Sequence, residues 1–360
     1  MTEPQSLLAL EPRALEAVCI ERGGRAFHAK ILRENVLAKG ILDYDAMTSL
    51  PARLRASLRT EFPILSGREV DRRVAPDRTT KLLVEFAREG GRDAAVEMVH
   101  MPSLYSDGED TPKKGATLCV STQVGCPVGC PFCASGVAGL ARNLAAHEIV
   151  EQYVRGRALG ELARSVVMGM GEPLLNYKNL SAALDVVHDE MGLGARKITV
   201  STVGFPERLR AIAPSKPRFQ LAISLHTPDQ TQRDELVPAM AGVPIEEVLA
   251  AGDDWFEKTG REVTYECVLL GGENDTRDHA DRLARLLVRR RATVNLIPFN
   301  PVEESPYRRP TRLAVDAFQE ALASAGIVAT VRWSRGAEHD AACGQLRIRH
   351  VRHDGQPAQT

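Results

Sequence analysis

Between residues 116 and 325, short apolar runs alternate with longer stretches in which apolar side chains recur every three or four positions among charges. The runs at 116–120, 165–168, 197–201, 220–225, 262–269 and 293–297 read as strands. The stretches at 146–158, 179–190, 206–212, 245–258, 277–290 and 315–325 read as helices. Near-continuous apolar strands joined by amphipathic helices are the pattern of a parallel sheet with crossover helices. Six such units predict an α/β fold, a partial (β/α)6 barrel, with residues 328–333 added at its edge. In barrels the reacting groups gather where the strands end.

Residues 1–90 follow a different rhythm and predict a small helical N-terminal domain. Helical spacing is seen at 15–21, 29–39 and 50–62, with Gly23-Gly24 and Lys39-Gly40 as stop signals. A hairpin is expected from 81–86 and 95–101, turning at Gly90-Gly91. Residues 91–112 then form a hairpin and linker segment ahead of the core at 113–350, and 351–360 read as a disordered tail. In the second hairpin strand Glu97 shares a face with Val99 and Met101. A carboxylate there is either a solvent contact on an edge strand or a group held near chemistry.

Composition narrows the setting. The chain has 360 residues, 44% of them hydrophobic, enough for a sizeable core, and 46 basic against 47 acidic side chains leave almost no net charge. Overall charge therefore does not announce a nucleic-acid partner. Arg53, Arg55, Arg59, Arg68, Arg72 and Arg73 do crowd one region, as a solvated surface or as a footprint for RNA phosphates. The first residues have no basic and apolar leader, and no run approaches the roughly 18 apolar residues of a membrane span. A cytoplasmic protein without membrane contact is expected, its cysteines thiols or ligands rather than disulfides.

Four of the seven cysteines fall within residues 119–133. Cys126, Cys130 and Cys133 lie on a loop turned by Gly125, Gly129, Pro127 and Pro131, so their sulfurs can converge. Structural zinc normally has four protein ligands, whereas a 4Fe-4S cluster held by three cysteines keeps one iron open. The open cluster is the favoured reading, and a zinc knuckle completed by Cys119 or Cys343 is the alternative. Cys19 and Cys267 read as inert core thiols, while Cys343 lies in a loop of small residues that favours reactivity. Strand ends carry further polar signatures: Gly169-Met170-Gly171-Glu172-Pro173, Ser201-Thr202-Val203-Gly204, Ser224-Leu225-His226 and Pro298-Phe299-Asn300. Glycines admit a ligand close to the backbone, and a carboxylate can accept from an ammonium group. A glycine fingerprint after the first strand, as in a doubly wound nucleotide-binding sheet, is missing.

The loop spacing, with Phe132 just before the last cysteine, resembles the signature of the radical S-adenosylmethionine (SAM) enzymes. Three further segments narrow the resemblance: Gly139-Leu140-Ala141-Arg142-Asn143-Leu144, Gly169-Met170-Gly171-Glu172-Pro173-Leu174-Leu175-Asn176 and Ala341-Ala342-Cys343-Gly344-Gln345-Leu346. From about residue 95 to 350 the chain resembles the RlmN/Cfr family of RNA methyltransferases. The resemblance implies a barrel of the radical SAM type, with a 4Fe-4S cluster on Cys126, Cys130 and Cys133. It implies SAM bound by Gly171, Glu172, Ser201, Ser224, Leu225, His226 and Asn300. It also implies that Cys343 becomes S-methylated, that Cys119 resolves the adduct through a transient disulfide with Cys343, and that Glu97 accepts the ring proton, with Cys119 as its rival for that step.

The substrate so implied is carbon 2 of an adenosine in 23S ribosomal RNA, with tRNA beside the anticodon as a second candidate. Methylation at carbon 8, the Cfr activity, is the nearest alternative. A zinc-stabilised RNA-binding protein without catalysis is the alternative from another class. Adenine ring carbons are too weakly nucleophilic to attack SAM directly, which is the physical reason for a radical route. An electron donor such as flavodoxin or ferredoxin, a thiol reductant and a monomeric state complete the expectation. The resemblance shifts the basic run towards RNA binding, but Asn35 and Leu37 stand where an aromatic pair is expected in relatives.

Overall fold

The apolar runs become the strands of one sheet, and the chain reaches it through a helical preface. A computed structural model describes residues 6–86, 95–103, 115–136, 139–301 and 305–333. Helices α1 (Pro12–Glu21) and α2 (Phe27–Arg33) come first, and α2 runs on into a π-helical turn at Glu34–Ala38. Helix α3 (Ala52–Glu61) closes this unit. Strands β1 (Arg68–Val74), β2 (Thr80–Glu85) and β3 (Ala95–Met101) follow. Strands β2 and β3 are the expected hairpin, while β1 lies inside the stretch expected to be helical. The pattern of β1 hid it: charges occupy five of its seven positions, as on a wet edge strand, so it shows no apolar period.

The core continues with β4 (Ala116–Cys119), β5 (Gln123–Gly125), β6 (Leu140–Asn143), α4 (Ala146–Leu159) and β7 (Leu162–Val167). Then come α5 (Tyr177–Asp189), β8 (Ile198–Thr202), α6 (Pro206–Ile212) and β9 (Gln220–Ser224). Helices α7 (Gln230–Leu236) and α8 (Ile245–Thr259) precede β10 (Val263–Leu269). Helix α9 (Arg277–Leu287), β11 (Ala292–Pro298), α10 (Arg312–Ser324) and β12 (Ala329–Val331) complete it. The helices form where local signals agree. On α9 the buried residues Ala280, Leu283, Ala284 and Leu287 make one stripe, and the Thr276 hydroxyl caps the first turn by accepting from His279 N. Helix α7 was not expected; Asp229 starts it by accepting from Gln232 N at 3.0 Å.

Among the described residues ten strands form one sheet, ordered β1-β2-β3-β4-β7-β8-β9-β10-β11-β12. From β4 to β12 every pairing is parallel, as the alternating pattern requires, and the sheet stays open rather than closing into a full barrel. From β1 to β4 the pairing is antiparallel. The boundary expected near residue 90 lies between β2 and β3, which pair with each other, and this hairpin extends the sheet. The candidate Cys343 and the tail at 351–360 lie outside the described residues.

Candidate active site

The two-stranded ribbon β5–β6 holds both ends of the cysteine loop. Cys126 N donates to Gly139 O at 3.1 Å, and Cys133 N donates to Cys130 O at 3.0 Å. Gly125 has φ +80°, and an added Cβ would lie 1.9 Å from Gly139 O, so only glycine fits this clamp. All three cysteines are half-buried. Burial pushes the Cys126 thiol up to about 12 and raises Cys130, with the neighbouring thiols and Glu172 acting in the same direction. Burial thus disfavours their thiolate forms, and a cationic iron centre bound there would supply the missing compensation.

A zinc site sets each sulfur about 2.3 Å from one ion. An iron-sulfur cube takes one thiolate at each of three separate irons and needs no shared point. Three cysteines on one loop match the donor set of a cluster with one open iron, whereas structural zinc calls for a fourth protein ligand.

The base of this loop is tied to the segment after β7. Thr122 N and Gln123 N donate to Met170 O at 2.8 and 3.2 Å, and Glu172 N donates to Gln123 Oε1 at 2.7 Å. Gly171, at φ +106°, leaves no room for a side chain, because a Cβ would meet Gln123 Cβ at 2.7 Å. Glu172 is buried and aims its carboxylate across to β8. Its Oε1 accepts from Thr202 Oγ1 at 2.6 Å and Leu174 N at 2.9 Å, and its Oε2 accepts from Val203 N at 2.9 Å. Burial raises its pKa, and those three donors oppose the rise. A carboxylate offers about four acceptor positions, so roughly one remains for a ligand.

The next strand ends form a polar wall. Ser201 Oγ donates to Glu266 Oε2 at 2.5 Å and lies 3.3 Å from Ser224 Oγ, while Asn295 Nδ2 donates to Glu266 Oε1 at 3.0 Å. Glu266 and Asn295 were not singled out in the sequence. The available signal was an acid amid the apolar strand Val263–Leu269, on the opposite face from Tyr265 and Cys267. Leu225 is buried, and its N–H and that of His226 both donate to Glu266 O. His226 sits at φ +67°; its ring packs edge-on to Phe132 of the cysteine loop, centroids 4.9 Å apart. Burial and the charge of Arg233 depress its pKa to about 3, so the imidazole stays neutral. Asn300 lies beyond β11 and accepts from Arg309.

Glu97 reaches the same mouth by another route. Val99 pairs with Cys119, and β3 runs against β4, so Glu97 lies just past the end of β4 on the face that Cys119 shares. Ser121 Oγ donates to Glu97 O at 2.6 Å, and Glu97 N donates to Met170 Sδ at 3.4 Å, which ties this strand to the Gly171 segment. The carboxylate is buried and forms an ion pair at 3.3 Å with Lys81, also buried, a partner the sequence reading did not supply. Of the two options for Glu97, the solvent-facing edge contact is excluded. Cys19 and Cys267 are buried thiols within the hydrophobic core, as expected.

The basic run is less available than its sequence suggests. Arg59 pairs with Asp45, Arg68 with Glu85, Arg72 with Glu69 and Arg73 with Asp71. Asn35 and Leu37, the departures from the expected aromatic pair, are buried in the π-helical turn. Among the described residues no helix is long and apolar enough to cross a membrane.

Comparison with known proteins agrees with this geometry. Residues 120–287 match the model of the radical SAM superfamily. A relative from Nostoc punctiforme named "Probable dual-specificity RNA methyltransferase RlmN" is 41% identical, covering 95% of this chain and 93% of its own. One of the same name from Symbiobacterium thermophilum is 45% identical, covering 97% and 92%. The crystal structure of a radical SAM methyltransferase from Sphaerobacter thermophilus superposes with a TM-score of 0.84 at 39% identity, covering 95% of this chain and 99% of that one. Its class uses a 4Fe-4S cluster and SAM, and the half-buried thiols and polar strand ends suit both. With relatives matched along nearly its whole length, the chain belongs to the RlmN/Cfr family of radical SAM methyltransferases.

Proposed function

We propose that this enzyme methylates carbon 2 of an adenosine in RNA, 23S ribosomal RNA first and tRNA second, through an S-methylcysteine. The observation that carries the reading is the shared face of Glu97 and Cys119 at the mouth beside Gly171 and Glu172. The relatives' printed name, a dual-specificity RNA methyltransferase, supports RNA as the substrate. When bound, the cluster on Cys126, Cys130 and Cys133 and the SAM at the strand ends supply the radical chemistry that an unreactive aromatic carbon needs.

The chain's own residues then have separate tasks. Gly171, Glu172, Ser201, Ser224, Leu225, His226 and Asn300 orient SAM, with Glu172 offering its remaining acceptor position. The Cys343 thiolate takes a methyl group from the sulfonium of one SAM by displacement, S-adenosylhomocysteine leaving, and presents it to the adenine. Glu97, held next to Lys81, accepts the ring proton, with Cys119 as the second candidate for that proton. Cys119 as thiolate attacks the Cys343 sulfur, the bond from that sulfur to the product carbon breaks with its electron pair left on the carbon, which takes up a proton to become the methyl group, and a Cys119–Cys343 disulfide remains. External thiols reduce it, which suits a cytoplasmic setting.

The test separates the two cysteines. Cys343→Ala should neither become methylated nor couple to RNA. Cys119→Ala should load the methyl and accumulate a protein-RNA thioether that survives denaturation and is shortened by nuclease. Turnover by both variants would refute the assignment. Mass spectrometry of the modified adenosine distinguishes carbon 2 from carbon 8.

A further inference from the structure

Helix α7 delivers one side chain that the assignments so far leave unused. Arg233 is 0% exposed. Its Nη2 donates to Val203 O at 2.9 Å, on the residue whose N–H is held by Glu172, so the guanidinium reaches the end of β8. Its Nε and Nη1 have no hydrogen-bond partner among the described residues. A guanidinium keeps its charge, and burying it with N–H groups unmatched is costly unless something anionic completes the site. Its surroundings point to the cysteine loop. Burial lowers its pKa to about 10, and the Asp234 carboxylate and the Cys130 thiol act against that shift. The turn that follows α7 is fastened to the same loop, Ala239 N donating to Val128 O at 3.2 Å.

We propose that Arg233 is a positioning and tuning residue for the iron-sulfur cluster, its unpaired N–H groups donating to sulfur at the Cys130 corner and favouring the reduced state. A cluster on three thiolates gains one more negative charge when an external reductant gives it an electron. A buried cation beside it stabilises that added charge, and hydrogen bonds to sulfur act in the same direction. The inference rests on the cluster being held by Cys126, Cys130 and Cys133.

The test needs no turnover. Wild-type, Arg233→Met and Arg233→Lys proteins are reconstituted anaerobically, their iron is counted, and the cluster is titrated with dithionite in the absence of SAM, followed by electron paramagnetic resonance. The methionine variant should be at least about tenfold harder to reduce, a fall of roughly 59 mV for a one-electron couple, and lysine should recover part of this. An iron-loaded methionine variant with the wild-type potential overturns the proposal. If that variant also binds SAM more weakly, Arg233 serves the SAM carboxylate instead. Should the variants fail to fold, wild-type protein carrying arginine labelled with 15N in the guanidinium gives the answer. Pulsed resonance on its reduced cluster should show a 15N coupling, and none would overturn the proposal. Wild-type protein that takes up no iron removes the cluster assignment itself, a result distinct from an unchanged potential in a loaded variant.

Discussion

Replacing Glu172 by alanine removes both carboxylate oxygens from a site that presents three donors to them. The Thr202 hydroxyl can rotate towards another partner. The N–H groups of Leu174 and Val203 cannot, and both residues are buried. Each orphaned buried donor costs about 1–3 kcal/mol, so Glu172→Ala should lose roughly 2–6 kcal/mol of stability. Glu172→Gln keeps one oxygen, which can retain Leu174 N and Thr202 Oγ1, and turns its NH2 towards Val203 N. One donor is then orphaned, and the loss should be about half. Urea unfolding of the cluster-loaded proteins under anaerobic conditions measures both losses, and equilibrium dialysis measures SAM affinity. The glutamine variant should bind SAM about tenfold more weakly or worse, because an amide lacks the charge that attracts the ammonium group. A loss below about 1 kcal/mol in the alanine variant would refute the hydrogen-bond network. A folded glutamine variant with undiminished SAM affinity would leave Glu172 with only the task of joining two strand ends.

Two further predictions use backbone and charge. Gly171→Ala meets Gln123 at 2.7 Å as well as a left-handed backbone, whereas a Cβ at Gly129, φ +75°, meets nothing within 4 Å. Gly129→Ala should cost about 1–2 kcal/mol and Gly171→Ala about 1–3 kcal/mol more, and equal losses in thermal unfolding would contradict the packing. His226 has a folded pKa of about 3 against an ordinary 6.5, so its contribution is present above pH 6.5 and is lost as pH falls through that value towards 3. From pH 6.5 to about 5 the loss should be roughly 2 kcal/mol, and His226→Asn should flatten that part of the stability profile; identical profiles would exclude His226 as its source.

Much of this was legible before any coordinates. Helix α6 occupies 206–212 and β3 occupies 95–101 as read, because a proline at the first helical position and a period-two apolar run are strong local signals. The parallel order of β4 and β7 to β12 followed from the alternation of elements. What local pattern could not supply was pairing at long range. Glu266 is unremarkable in its strand until Ser201, 65 residues earlier, is seen to donate to it. Lys81 lies near the start of its strand, and only the register, which places it diagonally from Glu97, pairs the two. Helix α7 fell between two expected elements because it is mostly polar and buries only Arg233 and Leu236.

The charged strand β1 has a consequence for the behaviour of this protein in a crowded solution. An open sheet has two rims, and each exposes backbone donors and acceptors to any extended chain that drifts past. Among the described residues one rim is β12, three residues long. The other carries Arg68, Glu69, Asp71, Arg72 and Arg73, each of whose side chains is engaged in an ion pair with a neighbour. A foreign strand docking there would have to break or desolvate those pairs, so the rim resists annealing to other molecules. Neutralising Arg68, Arg72 and Arg73 should therefore promote aggregation, which light scattering on the purified protein would read.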